Sequence, residues 1–285
     1  MKIYYDDLNQ LTVEGIDLQK KIYFQNQSYD LESSNILTIT ELDLSQRHIA
    51  YDDLGGVHII IPRFIVKTEE FNHKYNAYDE RLGSYVDGEY TIFKLWAPSA
   101  IQVDLVLESN KYTMTRQDNG VFTYQFNKNL HGEKYSYLIY HPHKTEVSID
   151  PYCFAASPNL YESVVCDFSQ LDLDVRDYQV KTSEKRILEV QVRDTSSDEE
   201  YNFKHRGQFL SLLEEPAFSY FKNHSVDYLQ IMPIHAFASV DDLDIWSKYN
   251  WGYDPMHYFV LKNSYSSVVN NPFQVMQDFA HVVDK

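Results

Sequence analysis

Seven consecutive residues, Tyr249-Asn250-Trp251-Gly252-Tyr253-Asp254-Pro255, gather three aromatic rings, an amide and a carboxylate into one short run. Glycine opens backbone conformations closed to other residues and proline fixes φ, so the run reads as a rigid loop rather than a helix or central strand. Flat rings beside a few hydrogen-bonding groups suit a sugar, which has apolar C–H faces and a hydroxyl rim. Tyr249, Asn250, Trp251, Tyr253 and Asp254 are therefore the candidate substrate-binding residues. A loop whose rings simply fill gaps in a core is the other reading, and composition alone leaves both open.

Acid–base chemistry needs carboxyl groups whose surroundings set their protonation apart. The nearest acidic cluster, Asp241, Asp242 and Asp244, lies in a polar stretch with nothing visible to keep one of them protonated, and reads as a solvated surface loop. No catalytic residue is assigned. His48 and His58 have no Cys or His at ligand spacing and read as ordinary strand residues, so no metal and no cofactor is expected. The two cysteines, Cys153 and Cys166, read as buried thiols rather than a disulfide, because the first residues carry no export signal.

The chain holds 285 residues (33.6 kDa), long enough for more than one hydrophobic core. With 24 Tyr and 16 Phe against 9 Gly and 9 Pro, the composition is globular and strand-rich rather than disordered. A net charge of −17 repels phosphate backbones and anionic lipid, so nucleic acid and membrane surfaces are not expected partners, whereas a neutral ligand meets no such barrier. No run is apolar enough for a signal peptide or a membrane span, and a cytoplasmic location is expected.

Three regions position the aromatic loop. Residues 1–84 alternate short apolar runs, Ile22-Tyr23-Phe24, Ile36-Leu37-Thr38-Ile39 and Val57-His58-Ile59-Ile60-Ile61, with polar clusters, and predict a small β domain. Gly55-Gly56 sits where a hairpin turn would join two of its strands. Residues 85–178 carry alternating strands at 91–96, 103–107, 121–126 and 135–140, and predict an immunoglobulin-like β-sandwich that ends near Asp150-Pro151-Tyr152. A crossing linker follows from Ser157 and ends in acids between Asp172 and Asp177. Residues 179–285 change period: strand 186–194, helix 208–223, strand 226–233 and helix 272–283, the last with Asn271 as N-cap and Pro272 in its first turn. Strands alternating with helices predict a parallel α/β unit. Its second strand would leave an unpaired edge.

Several stretches together resemble one family. Tyr78-Asp79-Glu80-Arg81-Leu82-Gly83, then Thr91 to Ala100 with its Trp96-Ala97-Pro98, resembles the entry to the family 48 carbohydrate-binding module of type I pullulanases, and Asp150-Pro151-Tyr152 resembles its exit. Glu189-Val190-Gln191-Val192-Arg193-Asp194, His205-Arg206-Gly207-Gln208-Phe209-Leu210, Gln230-Ile231-Met232-Pro233, Phe237 to Asp241 and the heptapeptide resemble the opening of that family's barrel. The family belongs to glycoside hydrolase family 13 of the α-amylase superfamily. The resemblance implies two mostly β amino-terminal domains followed by the start of a (β/α)8 TIM barrel, cut after its second strand–helix unit, since a complete barrel takes about 250 residues.

The implied family reaction is retaining hydrolysis of α-1,6-glucosidic branch linkages in pullulan, glycogen or starch dextrins, which needs two carboxyl groups about 5–5.5 Å apart. In the family those carboxylates come from later barrel strands, so this chain alone is expected to be inactive. The alternative is an α-glucan (glycogen) binding module without catalysis. The implied partners are an α-glucan polysaccharide or branched maltodextrin and a second chain supplying the rest of the barrel. By resemblance Tyr253 stacks on a glucosyl ring and Asp254 shapes the site. The chain departs from the family pattern at Gln191, where His is usual, and at Thr195, Glu80 and Ala236.

Overall fold

The computed structural model describes residues 1–177 and 184–285; the expected domain boundary at 178–179 lies outside the described residues. Contacts divide the chain into two compact units. One comprises Met1–Leu82, Ile92–Gln125 and Ser136–Ser148, the other Gly83–Thr91, Phe126–Tyr135 and Ile149–Lys285.

The amino-terminal region is a sheet of seven strands: β1 (Lys2–Asp7), β2 (Gln10–Glu14), β3 (Lys21–Phe24), β4 (Gln27–Asp30), β5 (Ile36–Thr38), β6 (Ile49–Asp52) and β7 (Val57–Pro62). Their order is β4-β3-β6-β7-β1-β2-β5, with β1 and β7 parallel. Alternate residues point to one core: Ile3 and Tyr5, Leu11 and Val13, Ile22, Ala50 and Ile60 are buried while their neighbours face outward. The interior strand β1, between β7 and β2, is missing from the runs read in sequence, because its inward residues are only Ile3 and Tyr5 and acids follow them. The expected turn joins β6 to β7. Gly55 has φ +87°, and a Cβ on Gly56 would come 2.3 Å from Asp52 Oδ2. Asp52 there accepts from Leu54 N and Gly56 N and pairs with His58 Nε2 at 2.8 Å, so His58 is a strand residue that locks its own hairpin. The short helix α1 (Glu69–Lys74) starts at Thr68, whose hydroxyl accepts from Phe71 N.

The sandwich strands are β8 (Gly83–Asp87), β9 (Tyr90–Trp96), β10 (Gln102–Leu107), β11 (Asn110–Thr113), β12 (Thr115–Arg116), β13 (Val121–Phe126), β14 (Lys134–Tyr140), β15 (Thr145–Ser148), β16 (Ala155–Ala156) and β17 (Ser163–Val164). They form the sheets β12-β13-β9-β8 and β11-β10-β14-β17-β16, with β15 on β14. The strand pattern therefore does not stop at Pro151. Residues expected in a linker supply β17, and β16 precedes it; two-residue strands are too short to show a period in sequence.

Beyond residue 184 the structure contains β18 (Ile187–Val190), α2 (Ala217–Asn223), β19 (Tyr228–Ile231), β20 (His235–Ala236), β21 (His257–Leu261) and α3 (Gln274–Asp284). β18 and β19 pair in parallel, Ile187 opposite Tyr228 through Val190 opposite Ile231, as the period change predicts. Both strands are shorter than expected, and β18 ends because Gln191 turns the chain: its Oε1 accepts from Asp194 N and its carbonyl from Thr195 N. The helix expected over 208–223 is divided into a 3-10 turn (Phe209–Leu213) and α2. Pro216 lacks a backbone N–H and disfavours helical backbone in the residue before it, which separates the two. α3 starts two residues later than expected, although Asn271 still caps the approach by accepting from Phe273 N through its side chain and Gln274 N through its carbonyl. Val192, Phe209, Phe237, Val240, Tyr265 and Val275 form the buried core beneath these elements.

Candidate functional site

Residues 249–255 form a loop between β20 and β21. Its backbone path depends on Gly252, which has φ +92° and lies so close to Pro233 that a Cβ would come 2.4 Å from the Pro233 carbonyl oxygen. Asn250 is the hub. Its Oδ1 accepts from Gly252 N, its Nδ2 donates to Asp254 Oδ1 at 2.8 Å and to Ser239 Oγ, and its carbonyl accepts from Gln191 Nε2 at 3.3 Å. The amide is thus consumed in fixing the turn, and Asp254 is braced by it. The rings are left outside: Tyr249, Trp251 and Tyr253 are 55%, 58% and 62% exposed. Tyr249, Asn250, Trp251, Tyr253 and Asp254 together line an open hollow of about 420 Å³.

The loop is gripped from the end of β18. Tyr253 OH donates to Glu189 Oε1 at 3.2 Å and Tyr249 OH to Asp194 Oδ2 at 2.6 Å. These carboxylate bonds, followed by partial desolvation, raise both phenols above the usual tyrosine range. Gln191 reaches the same loop from below, with Nε2 also donating to the buried Tyr265 hydroxyl at 3.1 Å. An uncharged amide at this position serves as a three-way connector between strand end, loop and core. Glu189, Gln191, Arg193, Asp194, Ser239 and Trp246 are the supporting residues that reading the heptapeptide alone misses. Glu189, Gln191, Arg193 and Asp194 are signalled only by the Glu-Val-Gln-Val-Arg-Asp run and Ser239 by the stretch Phe237 to Asp241, while Trp246 lies in neither.

The acidic cluster needs correction. Asp241 and Asp244 are exposed, but Asp242 is buried and ion-paired, Oδ1 to Lys262 Nζ at 2.7 Å, and Lys262 is fully buried as well. Lys262 Nζ also donates to the carbonyls of Phe237 and Val240, while Asp242 Oδ2 accepts from Asn159 N at 2.6 Å. The chain folds this carboxylate inward because a cation twenty residues later satisfies it, a pairing no local pattern reveals. Both cysteines are free and buried, and burial pushes each thiol up to about 12. Cys153 Sγ lies 3.4 Å from His257 Nε2, which contacts the Asp150 carbonyl at 2.9 Å; a thiol held protonated this way is no nucleophile. Among the described residues no group of three or more His, Cys, Asp or Glu could hold a metal ion, and no helix is long and apolar enough to cross a membrane.

Comparison with known proteins gives first a class and then closer relatives. Residues 81–153, most of the sandwich, match the family model of carbohydrate-binding module 48 (isoamylase N-terminal domain). Over almost its whole length the chain is similar to pullulanases. It is 27% identical over 305 residues to the pullulanase of Bacillus subtilis, covering 94% of this chain and 42% of that one. It is 26% identical over 260 residues to Pullulanase A of Streptococcus pneumoniae, covering 73% and 20%. The pullulanase of Anoxybacillus sp. LM18-11, solved in complex with maltotetraose, superimposes with a TM-score of 0.87 at 24% identity, over 100% of this chain and 45% of that one. The type I pullulanase of Bacillus subtilis complexed with maltose gives 0.78 at 22% identity. The fold is therefore that of the matching part of these proteins. The chain spans less than half the length of the curated relatives it matches.

Proposed function

We propose that this chain recognises α-glucan at the hollow formed by residues 249–255, as the binding part of a pullulanase-like system. The observation that carries the proposal is the division of labour within the loop. Asn250 and Gly252 make the turn, Glu189 and Asp194 hold two phenolic tips, and three rings remain exposed around one shallow, open surface. Rings with fixed tips and free faces suit the C–H faces of glucose, while Asp254, oriented by Asn250, is placed to accept from a sugar hydroxyl. The family 48 module over residues 81–153 and the maltotetraose bound by the Anoxybacillus pullulanase support α-glucan as the ligand class.

A second reading has this chain contribute one side of a glycoside hydrolase site, with hydrolysis of α-1,6 linkages requiring carboxylates supplied by a second polypeptide. The two-stranded parallel sheet β18–β19 favours it. Parallel sheets are normally extended and covered on both faces, and among the described residues no third strand joins this one. In this reading β18, β19 and α2 open a (β/α)8 barrel.

Electrophoresis of the purified chain in glycogen-containing native gels, with reducing-end release from pullulan followed in parallel, tests both. Retardation that is lost in Tyr253→Ala, with no reducing ends released, is the expected result. Unretarded migration of the wild type would overturn the binding function, and hydrolysis by the chain alone would overturn its expected inactivity.

A further inference from the structure

We propose that the turn leaving β18 positions the binding loop through two consecutive residues, with Arg193 setting the plane of the Tyr249 ring and Asp194 fixing its tip. The inference rests on residues 249–255 being the glucan site. Arg193 places its guanidinium carbon 5.3 Å from the Tyr249 ring centroid and 4.5 Å from that of Trp246. Arg206 lies 4.8 Å from the same Trp246 ring, so two cations share one indole. The hydroxyl bond to Asp194 leaves Tyr249 free to rotate about the line through its tip. A flat cation against the ring face removes that freedom.

Arg193 Nε is buried and has no hydrogen-bond partner among the described residues. An unmet buried donor is unfavourable, and the side chain is held instead by stacking on the two rings and by an ion pair of its Nη1 with Asp194 Oδ1 at 3.8 Å. Only a planar, weakly hydrated guanidinium suits that position, and the ammonium of lysine does not replace it. Trp246 serves as the backing plate: its neighbour Gly207 has φ +76°, and a Cβ there would come 3.0 Å from the indole, so the backbone at 207 makes room for the ring. Arg206 is held in turn by the carbonyls of Ser196 and Ser197. The assembly runs from a rigid turn, through two arginines and an indole, to one wall of the hollow. It gives Arg193 a role in affinity without contact with the sugar.

The test is calorimetric titration of maltotetraose into wild type, Arg193→Met, Arg193→Lys and Tyr253→Ala. It is paired with fluorine NMR of 5-fluorotryptophan-labelled protein, in which Trp246 and Trp251 are assigned by Trp→Phe variants. Arg193→Met is expected to bind about fivefold more weakly, as loss of one partly desolvated cation–π contact implies. It is also expected to shift the ligand-free Trp246 resonance and to diminish the maltotetraose-induced shift of Trp251, with Arg193→Lys restoring only part of the affinity. Wild-type affinity in Arg193→Met alongside impaired Tyr253→Ala overturns the positioning role and leaves the glucan site standing. Equal binding, or none, by wild type and Tyr253→Ala overturns the site itself and this inference with it. Should Arg193→Met fail to fold, Asp194→Asn decides: weakened binding supports the device, and wild-type binding overturns it.

Discussion

Lys262 and Asp242 show how far a residue's role can sit from its appearance in sequence. Both are buried and face each other at 2.7 Å, and the ammonium also donates to the carbonyls of Phe237 and Val240 and lies 4.4 Å from the Phe237 ring centroid. Breaking such a pair from one side leaves an uncompensated buried charge. Lys262→Met is expected to lower the unfolding free energy by about 3–5 kcal/mol in chemical denaturation, with Asp242→Asn in the same chain recovering part of it. An unchanged denaturation midpoint would contradict the buried pair. The thiols make the opposite case, being legible in sequence and inert in structure. Burial raises both Cys153 and Cys166 to about 12, whereas an unfolded thiol ionises near 9. Stability from the protonated thiols is therefore complete below pH 9 and declines as pH rises toward 12, because the unfolded chain loses its protons first. At pH 8 a thiol-specific disulfide reagent is expected to titrate neither cysteine in the folded protein and both in guanidinium chloride. Rapid labelling of the folded protein would contradict this.

Among the elements, strands with a strict period of two were legible to within a residue or two. β9, β10, β13 and β14 fall where alternation places them; one face is buried and the other is not along β9 and β14, while β10 and β13 also bury Asp104 and the adjacent Val121 and Phe122. The parallel pairing of β18 with β19 was equally readable. What sequence could not supply were the ends set by side chains: Gln191 terminating β18, Pro216 dividing a helix, and β16 and β17 continuing a sheet with two residues each. The loop of residues 249–255 sits between these cases. Its glycine and proline mark it as a turn, but the conformation is enforced by the approach of Pro233, a contact across the fold. Gly252→Ala is expected to cost about 1–3 kcal/mol of strain and to displace the rings, seen as a loss of glycogen retardation greater than the loss of thermal stability explains. Retained retardation in a folded Gly252→Ala protein would show that the ring geometry tolerates a different turn.

At the scale of the whole molecule, the charge of −17 disfavours phosphate backbones and anionic lipid and leaves a neutral ligand open, and the match of residues 81–153 to a carbohydrate-binding module is compatible with that. The candidate residues of the site were visible as a heptapeptide, whereas its support was not, because Glu189 and Asp194 meet the loop, and Trp246 backs Arg193, only when β18 and the residues before β21 fold together. The central claim is that these elements jointly hold a surface for α-glucan. Its most direct test is the dissociation constant of maltotetraose, measured by calorimetry for the wild type and Tyr253→Ala at matched fold content. The account predicts saturable binding by the wild type, weakened roughly tenfold when the Tyr253 ring is removed, in line with the loss of one aromatic contact. Identical constants for the two proteins, or no heat of binding for either, would contradict it.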